Sequence, residues 1–209
     1  MMFVTMQLSL SKAAYASEVA SKKCSNSIVD RVINRKARSG DVDAMYFLGN
    51  KLFAPSCTSN EQERGLALLM QAAEGNHPNA LFMLGYMIFE HAQNDREVHD
   101  ALKYLEKSSK LGHHPAMTYL GSVLLNKSTS IREKNKALNL LKTAAIQGSD
   151  DAANTLYHIY ASGLYGEKKS LCIADFWFAL TLKKDNFISN LPDAKTSNCG
   201  KGERVTVME

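Results

Sequence analysis

An internal period of 36 residues constrains this chain more than any other feature. Ala44, Ala80, Ala116 and Ala152 stand 36 apart, and so do Leu48, Leu84, Leu120 and Leu156. Gly49, Gly85 and Gly121 follow the first three of those leucines, with Tyr157 in the fourth place. A second set, Gly65-Leu66, Ala101-Leu102 and Ala137-Leu138, keeps the same step, and Ala174 completes it one residue late. The small pairs Ala72-Ala73, Ser108-Ser109 and Ala144-Ala145 come next, followed by turn glycines at Gly75, Gly112 and Gly148. A fixed period of this length marks a stacked array of small units, each too small to bury its apolar face alone.

Each unit reads as two helices. Met45, Leu48, Gly49 and Leu52 fall at i, i+3, i+4 and i+7, one face of a helix. The later units repeat that face with Met83, Leu84 and Ile88, with Leu120 and Leu124, and with Leu156 and Tyr160. Glycine in mid-helix costs about 1 kcal/mol against alanine. Its use here predicts helices crossing closely, where a missing side chain lets backbones approach. His77-Pro78 and His114-Pro115 fall in turns, where proline suits the first helical position. The expected fold is therefore all-α: a right-handed α-solenoid of about four helix-turn-helix repeats. Their expected limits are 40–74, 75–111, 112–147 and 148–184.

The ends depart from the period. Residues 1–20 begin with an uncharged apolar run, Met1 to Leu10, and Ala14-Tyr15-Ala16 has the small-x-small form of a cleavage site. The positive start of a secretory signal is missing, so a signal-like segment and an amphipathic first helix both fit. Residues 21–39 read as a capping helix with a charge of about +5, counting Lys22, Lys23, Arg31, Arg35, Lys36 and Arg38 against Asp30. A solvated cap and a docking patch for an acidic surface are the two readings of it. Residues 185–209 read as a C-terminal cap, with Asn186-Phe187-Ile188 tucked inward, and then a mobile tail. Cys24 and Cys57 lie near one end, Cys172 and Cys199 near the other. Two local disulfides in an oxidising compartment fit this spacing, as do four unrelated buried thiols.

Residues Gly40 to Lys184 resemble the Sel-one-like repeat family, relatives of the tetratricopeptide repeats with a slightly longer unit. The pattern is an Ala, then Leu-Gly and an aromatic, then a glycine-containing loop, then Ala, an aromatic and Ala-Ala-x-x-Gly. It is closest in Tyr160-Ala161-Ser162-Gly163-Leu164-Tyr165-Gly166 and Ala174-Asp175-Phe176-Trp177-Phe178. The loops at Glu90–Arg96 and Asn126–Arg132 lack the glycine pair. The resemblance implies a protein-binding array.

Chemistry of other kinds is not indicated. The six histidines are scattered, and His113-His114 are adjacent in a turn rather than i, i+4 on a helix, so neither metal nor cofactor is expected. Gly121–Thr129 and Tyr165–Ser170 fail as phosphate loops, because the second glycine and the preceding strand are absent. No convergent nucleophile or acid–base set emerges, so the expectation is a protein that is not an enzyme. A net charge of +4 without a basic, aromatic-interleaved tract does not point to nucleic acid. No apolar run reaches the roughly 18 residues of a membrane span.

Binding is expected on the concave side, lined by the first helix of each unit. Registration places Tyr46, Phe82, Thr118 and Asn154 in one row and Asn50, Tyr86, Ser122 and His158 in another, with Phe53 and Phe89 extending the aromatic end. Aromatic residues with polar tips are frequent interface anchors. They fill cores as readily. The resemblance makes one partner concrete: small bacterial envelope proteins of this family include immunity proteins. These block secreted antibacterial toxins such as phospholipases, in a setting such as type VI secretion. An adaptor or scaffold in a signalling or assembly pathway is the alternative. The first reading implies a periplasmic or secreted protein, the second equally a cytoplasmic one.

Overall fold

The computed structural model describes Cys24, residues 28–127 and residues 130–182. Expectations for residues 1–20, for the tail beyond Leu182 and for Cys199 fall outside that range. The described residues form nine α-helices and one 3-10 turn, and no strand occurs among them. They are α1 (Ile28–Arg38), α2 (Val42–Leu52), α3 (Ser59–Glu74), α4 (Pro78–His91), α5 (Asp95–Lys110), α6 (His114–Lys127), α7 (Ile131–Ile146), α8 (Asp150–Ser162) and α9 (Leu171–Thr181), with the 3-10 turn at Leu164–Gly166 between the last two. The chain divides into two compact units, with the boundary inside α5 between Tyr104 and Leu105.

One turn recurs four times and explains the period. Gly40, Asn76, Gly112 and Gly148, spaced 36 apart, all have positive φ, from 66° to 98°. At each, the next residue's N–H reaches back five positions, as from His77 to the Ala72 carbonyl and from Ser149 to the Ala144 carbonyl. These bonds satisfy carbonyls that a helix end would otherwise leave unpaired. In the first repeat the left-handed residue is Asn76, whose short amide tolerates that region. Gly75, expected at the turn, is right-handed at φ −71°. It is instead a packing residue, since a Cβ there would lie 2.7 Å from Val42 Cγ2.

The residue after each such position caps the next helix. Asp41, His77, His113 and Ser149 accept from the N–H groups of Ala44, Ala80, Ala116 and Ala152 at 2.9, 3.3, 3.2 and 3.3 Å. His77 thus corresponds to His113, not to His114, which is the first residue of α6. Because α1 ends in the same turn, with Asp41 bonding back to the Lys36 carbonyl, it occupies the place of a second helix of a preceding unit.

Within the first unit, α2 and α3 touch backbone to backbone. A Cβ on Gly65 would lie 2.7 Å from Phe53 N and 2.8 Å from Gly49 O, and one on Gly49 would lie 2.9 Å from Gly65 O. Leu48, Leu52, Ala44 and Ala37 are buried with Cys24 and Cys57. Those two cysteines form a disulfide, with Cα atoms 5.9 Å apart across 33 residues. A second cluster, Leu69, Ala72, Ala73, Ala80, Leu81 and Leu84, lies between α3 and α4. Buried Asp30 pairs with Lys51 and ties α1 to α2. Thr58 and Glu61 start α3 with a reciprocal capping box.

The second unit has a single larger core built on α6 to α9, with Leu138, Leu141, Leu156, Ile159 and Trp177 at its centre. Gly121 plays the part of Gly49, but it faces Ala137 and Leu141 rather than another glycine. Cys172, in α9, is also disulfide-bonded. Tyr160 is buried, and burial together with the negative Glu167 beside it raises its phenol well above the ordinary value.

Candidate functional site

The residues expected to bind a partner divide between the units. Tyr46, Asn50, Phe53, Phe82, Tyr86 and Phe89 lie in the first, and Thr118, Ser122, Asn154 and His158 in the second. All but Phe53 are on first helices; Phe53 is the C-cap of α2.

In the first unit the aromatics do two jobs. The Tyr46 ring stacks on His77 with centroids 4.2 Å apart and planes 20° apart. Tyr46 therefore seals α2 against the cap of the next first helix, and with Phe53 it packs against the core. His77 is held by this ring, by the Ala80 N–H on Nδ1 and by Asp43, whose Oδ1 lies 3.4 Å from Nε2. Burial lowers its pKa from the ordinary value, while the Asp43 charge pushes the other way. Phe82 and Tyr86 are one turn apart on α4, with tilted rings 6.1 Å between centroids. Tyr86 is 43% exposed and Asn50 is exposed, whereas Phe82 and Phe89 are half-buried.

In the second unit the equivalent contact is polar. Thr118 donates to the His114 carbonyl at 3.0 Å, and its hydroxyl lies 3.1 Å from that of Ser149, the cap of α8. Ser122 is half-buried, while Asn154 and His158 are exposed. The His158 ring stands edge-on to Tyr157 at 5.1 Å.

The rows thus mix two kinds of residue. Tyr46 and Thr118 make contacts to the next helix's cap. Asn50, Tyr86, Asn154 and His158 are exposed. The capping residues Asp41, His77, His113 and Ser149 went unread in the sequence. Their own 36-residue spacing, three places before each repeat alanine, is the signal that identifies them. Cys24, Cys57 and Glu61 come close enough to suggest a metal-ligand triplet. The two sulfurs, however, are bonded to each other and Glu61 is engaged by Thr58.

Helical hairpins repeating every 36 residues, each capped and turned in the same way, define an α-helical repeat protein. More narrowly, the fold is that of the Sel1-repeat proteins. No protein-family model matches the chain and no curated protein matches its sequence; the likeness lies in solved structures. A protective antigen of uropathogenic Escherichia coli strains, displaying an SLR fold, is 24% identical with a TM-score of 0.61, over 73% of this chain and 32% of that one. A Sel1 repeat protein from Oxalobacter formigenes is 21% identical with a TM-score of 0.56, over 80% of this chain and 48% of that one. An immunity protein from Pseudomonas aeruginosa is 20% identical with a TM-score of 0.50, over 81% of this chain and 64% of that one. The match spans less than two thirds of each of these structures. No helix among the described residues is long and apolar enough to cross a membrane.

Proposed function

We propose that this chain is a non-catalytic protein-binding module. In this reading it is an immunity protein that binds and blocks a secreted antibacterial effector, such as a phospholipase, by covering its working surface. The observation that carries the binding reading is the outward-facing pair of the first unit, Tyr86, 43% exposed on α4, and exposed Asn50 on α2. A half-exposed tyrosine on a fixed backbone loses little entropy when a partner covers it. The immunity protein among the structural neighbours supports the finer reading. The disulfide between Cys24 and Cys57 supports a periplasmic or secreted location, because such bonds persist in oxidising compartments. The fold equally suits an adaptor or scaffold that joins components of a pathway.

The test is co-expression with the product of the neighbouring gene, scored by survival, and titration of that product against purified protein. Asn50→Ala with Tyr86→Ala is expected to weaken binding by about 2–4 kcal/mol and to abolish protection, with helicity unchanged. This pair is cleaner than Tyr46, Phe82 and Tyr86, because truncating Tyr46 also removes the stack on His77. Full protection by the double variant would refute the face. A neighbour that is harmless without this chain, joined to many weak partners in capture from native cells, would favour the adaptor.

A further inference from the structure

Apart from the first-helix rows, α1, α2 and α3 enclose an open groove of about 410 Å³ within the first unit. Its floor is apolar, formed by Ala37, Met45, Leu48 and Leu68, and its rim carries Arg38, Arg64 and Asn34. The volume is at the lower end of the range for ligand pockets, roughly 300–1,000 Å³.

The charges at the rim are uncompensated. Among the described residues, neither Arg38 nor Arg64 has a carboxylate partner. The repeat itself supplies a control. Position 64 is equivalent to 136 and position 34 to 106, each two periods of 36 on. In the second unit Lys136 is bonded to Glu106 at 2.7 Å, a carboxylate answering the cation. In the first unit Arg64 meets Asn34 at 2.5 Å, so the guanidinium is held in place but keeps its charge. A positioned, unneutralised guanidinium over an apolar floor is suited to a carboxylate with a greasy neighbour.

The lining favours a peptide over a single small acid. Its two guanidiniums come from different helices, Arg38 from α1 and Arg64 from α3, and share the groove with Ala37, Met45, Leu48 and Leu68. A segment that carries more than one acid around an apolar side chain answers both the charges and the floor. The apolar floor separates this groove from a patch that merely attracts phosphates.

We propose that the groove between α1, α2 and α3 is a second binding site that takes an acidic peptide segment of a partner protein. An apolar side chain of that segment sits over Ala37, Met45, Leu48 and Leu68, and its carboxylates lie on Arg38 and Arg64. The proposal is independent of the first-helix face, with which the groove shares no named residue.

The test uses the full chain and a fluorescein-labelled peptide, Asp-Glu-Leu-Asp-Phe-Glu-Asp, followed by fluorescence anisotropy. Saturable binding is expected to weaken about tenfold or more when the acids become amides, or when Leu and Phe become Ser. It should also weaken steeply between low and physiological salt. Asn34→Glu is expected to reduce affinity about fivefold or more, since it supplies Arg64 with the carboxylate that Lys136 already has. Arg38→Ala with Arg64→Ala is expected to reduce it further. Far-UV circular dichroism should stay unchanged in both variants. If the double variant loses helicity, Asn34→Glu alone decides. Equal binding of the amide peptide, unchanged affinity in Asn34→Glu, or no saturation by 1 mM peptide (about the weakest affinity worth assigning) would overturn the proposal. So would phosphatidylglycerol vesicles that bind more tightly than the peptide and depend on Arg38 and Arg64, because the groove would then be a membrane contact.

Discussion

The two units build the same turn from different chemistry. In the first, α2 and α3 meet as glycine against glycine, the seam to the next first helix is an aromatic stack, and a disulfide ties Cys24 to the α2–α3 loop. In the second, a glycine faces an alanine and a leucine, the seam is a pair of hydroxyls, and a buried tryptophan anchors the last helix. What stays constant is the left-handed residue and the cap that follows it. The repeat is thus defined by backbone geometry at one corner, and the contacts between helices vary around it.

The largest expected effect bears on the disulfide. Closing 33 residues in the unfolded chain is worth about 3–4 kcal/mol on the loop-entropy model. Cys24→Ser with Cys57→Ser should therefore destabilise the first unit by about that amount, read as a lower denaturation midpoint. Amide hydrogen exchange should show the loss concentrated in α1–α3, with α6–α9 little changed. Uniform loss would mean that the units do not differ in the way described.

The glycine contacts come next. Gly65→Ala puts a Cβ 2.7 Å from one backbone atom and 2.8 Å from another, neither of which can rotate away. It is expected to cost about 1–3 kcal/mol. Gly121→Ala meets Leu141 Cγ at 2.9 Å, a side chain that can shift. The better helix propensity of alanine, about 1 kcal/mol, offsets much of the strain there. Equal losses in chemical denaturation would break the contrast between the two hairpins.

Much of this was legible in the sequence, and the reason is physical. Small residues at helix crossings and leucines on one helix face are spaced by the repeat, so the columns at 44, 48, 49 and 65 identify the hairpins directly. Gly75 was misread because a glycine signals either a left-handed turn or a close contact, and Asn76 performs the turn at the phase of Gly112 and Gly148. The spacing leaves open whether Tyr46 and Thr118 face a partner or the fold. Whether an aromatic or hydroxyl on a first helix faces outward depends on the cap 31 residues later, which a single row of spacing does not show. Phe53, expected at the aromatic end of the face, is partly buried and packs against the core.

The corner common to both units can be tested directly. Gly148 sits at φ 98° with no atom within 4 Å of where a Cβ would go, so the cost of Gly148→Ala is conformational rather than steric. About 1 kcal/mol is expected. Asn76→Ala should cost a similar amount, since it removes a side chain that tolerates φ 66°, while Asn76→Gly should be near neutral. A neutral Asn76→Ala in thermal denaturation would show that the first unit does not need the geometry its partner needs.

The smallest effect separates two caps, at His77 and Ser149, by pH. His77 caps α4 through a bare Nδ1, and a proton there would replace the Ala80 N–H and cost the cap. Burial lowers its folded pKa below the ordinary value, so between the two values the unfolded chain binds the proton that the folded chain refuses. The stability it contributes is complete above the unfolded pKa, near 6.5, and is lost as pH falls through the folded value. Asp43 reduces the shift, since it favours the charged ring. The slope must stay below the one-proton limit of about 1.4 kcal/mol per pH unit. Ser149, in the same position two periods on, does not titrate, whereas His113, one period on, caps α6 through its own Nδ1. His77→Asn keeps a capping side chain and removes the ionisation, so it should flatten the fall in the first unit's denaturation midpoint between about pH 7 and 5. A fall of the same steepness in His77→Asn would assign the pH response elsewhere and leave the two caps equivalent.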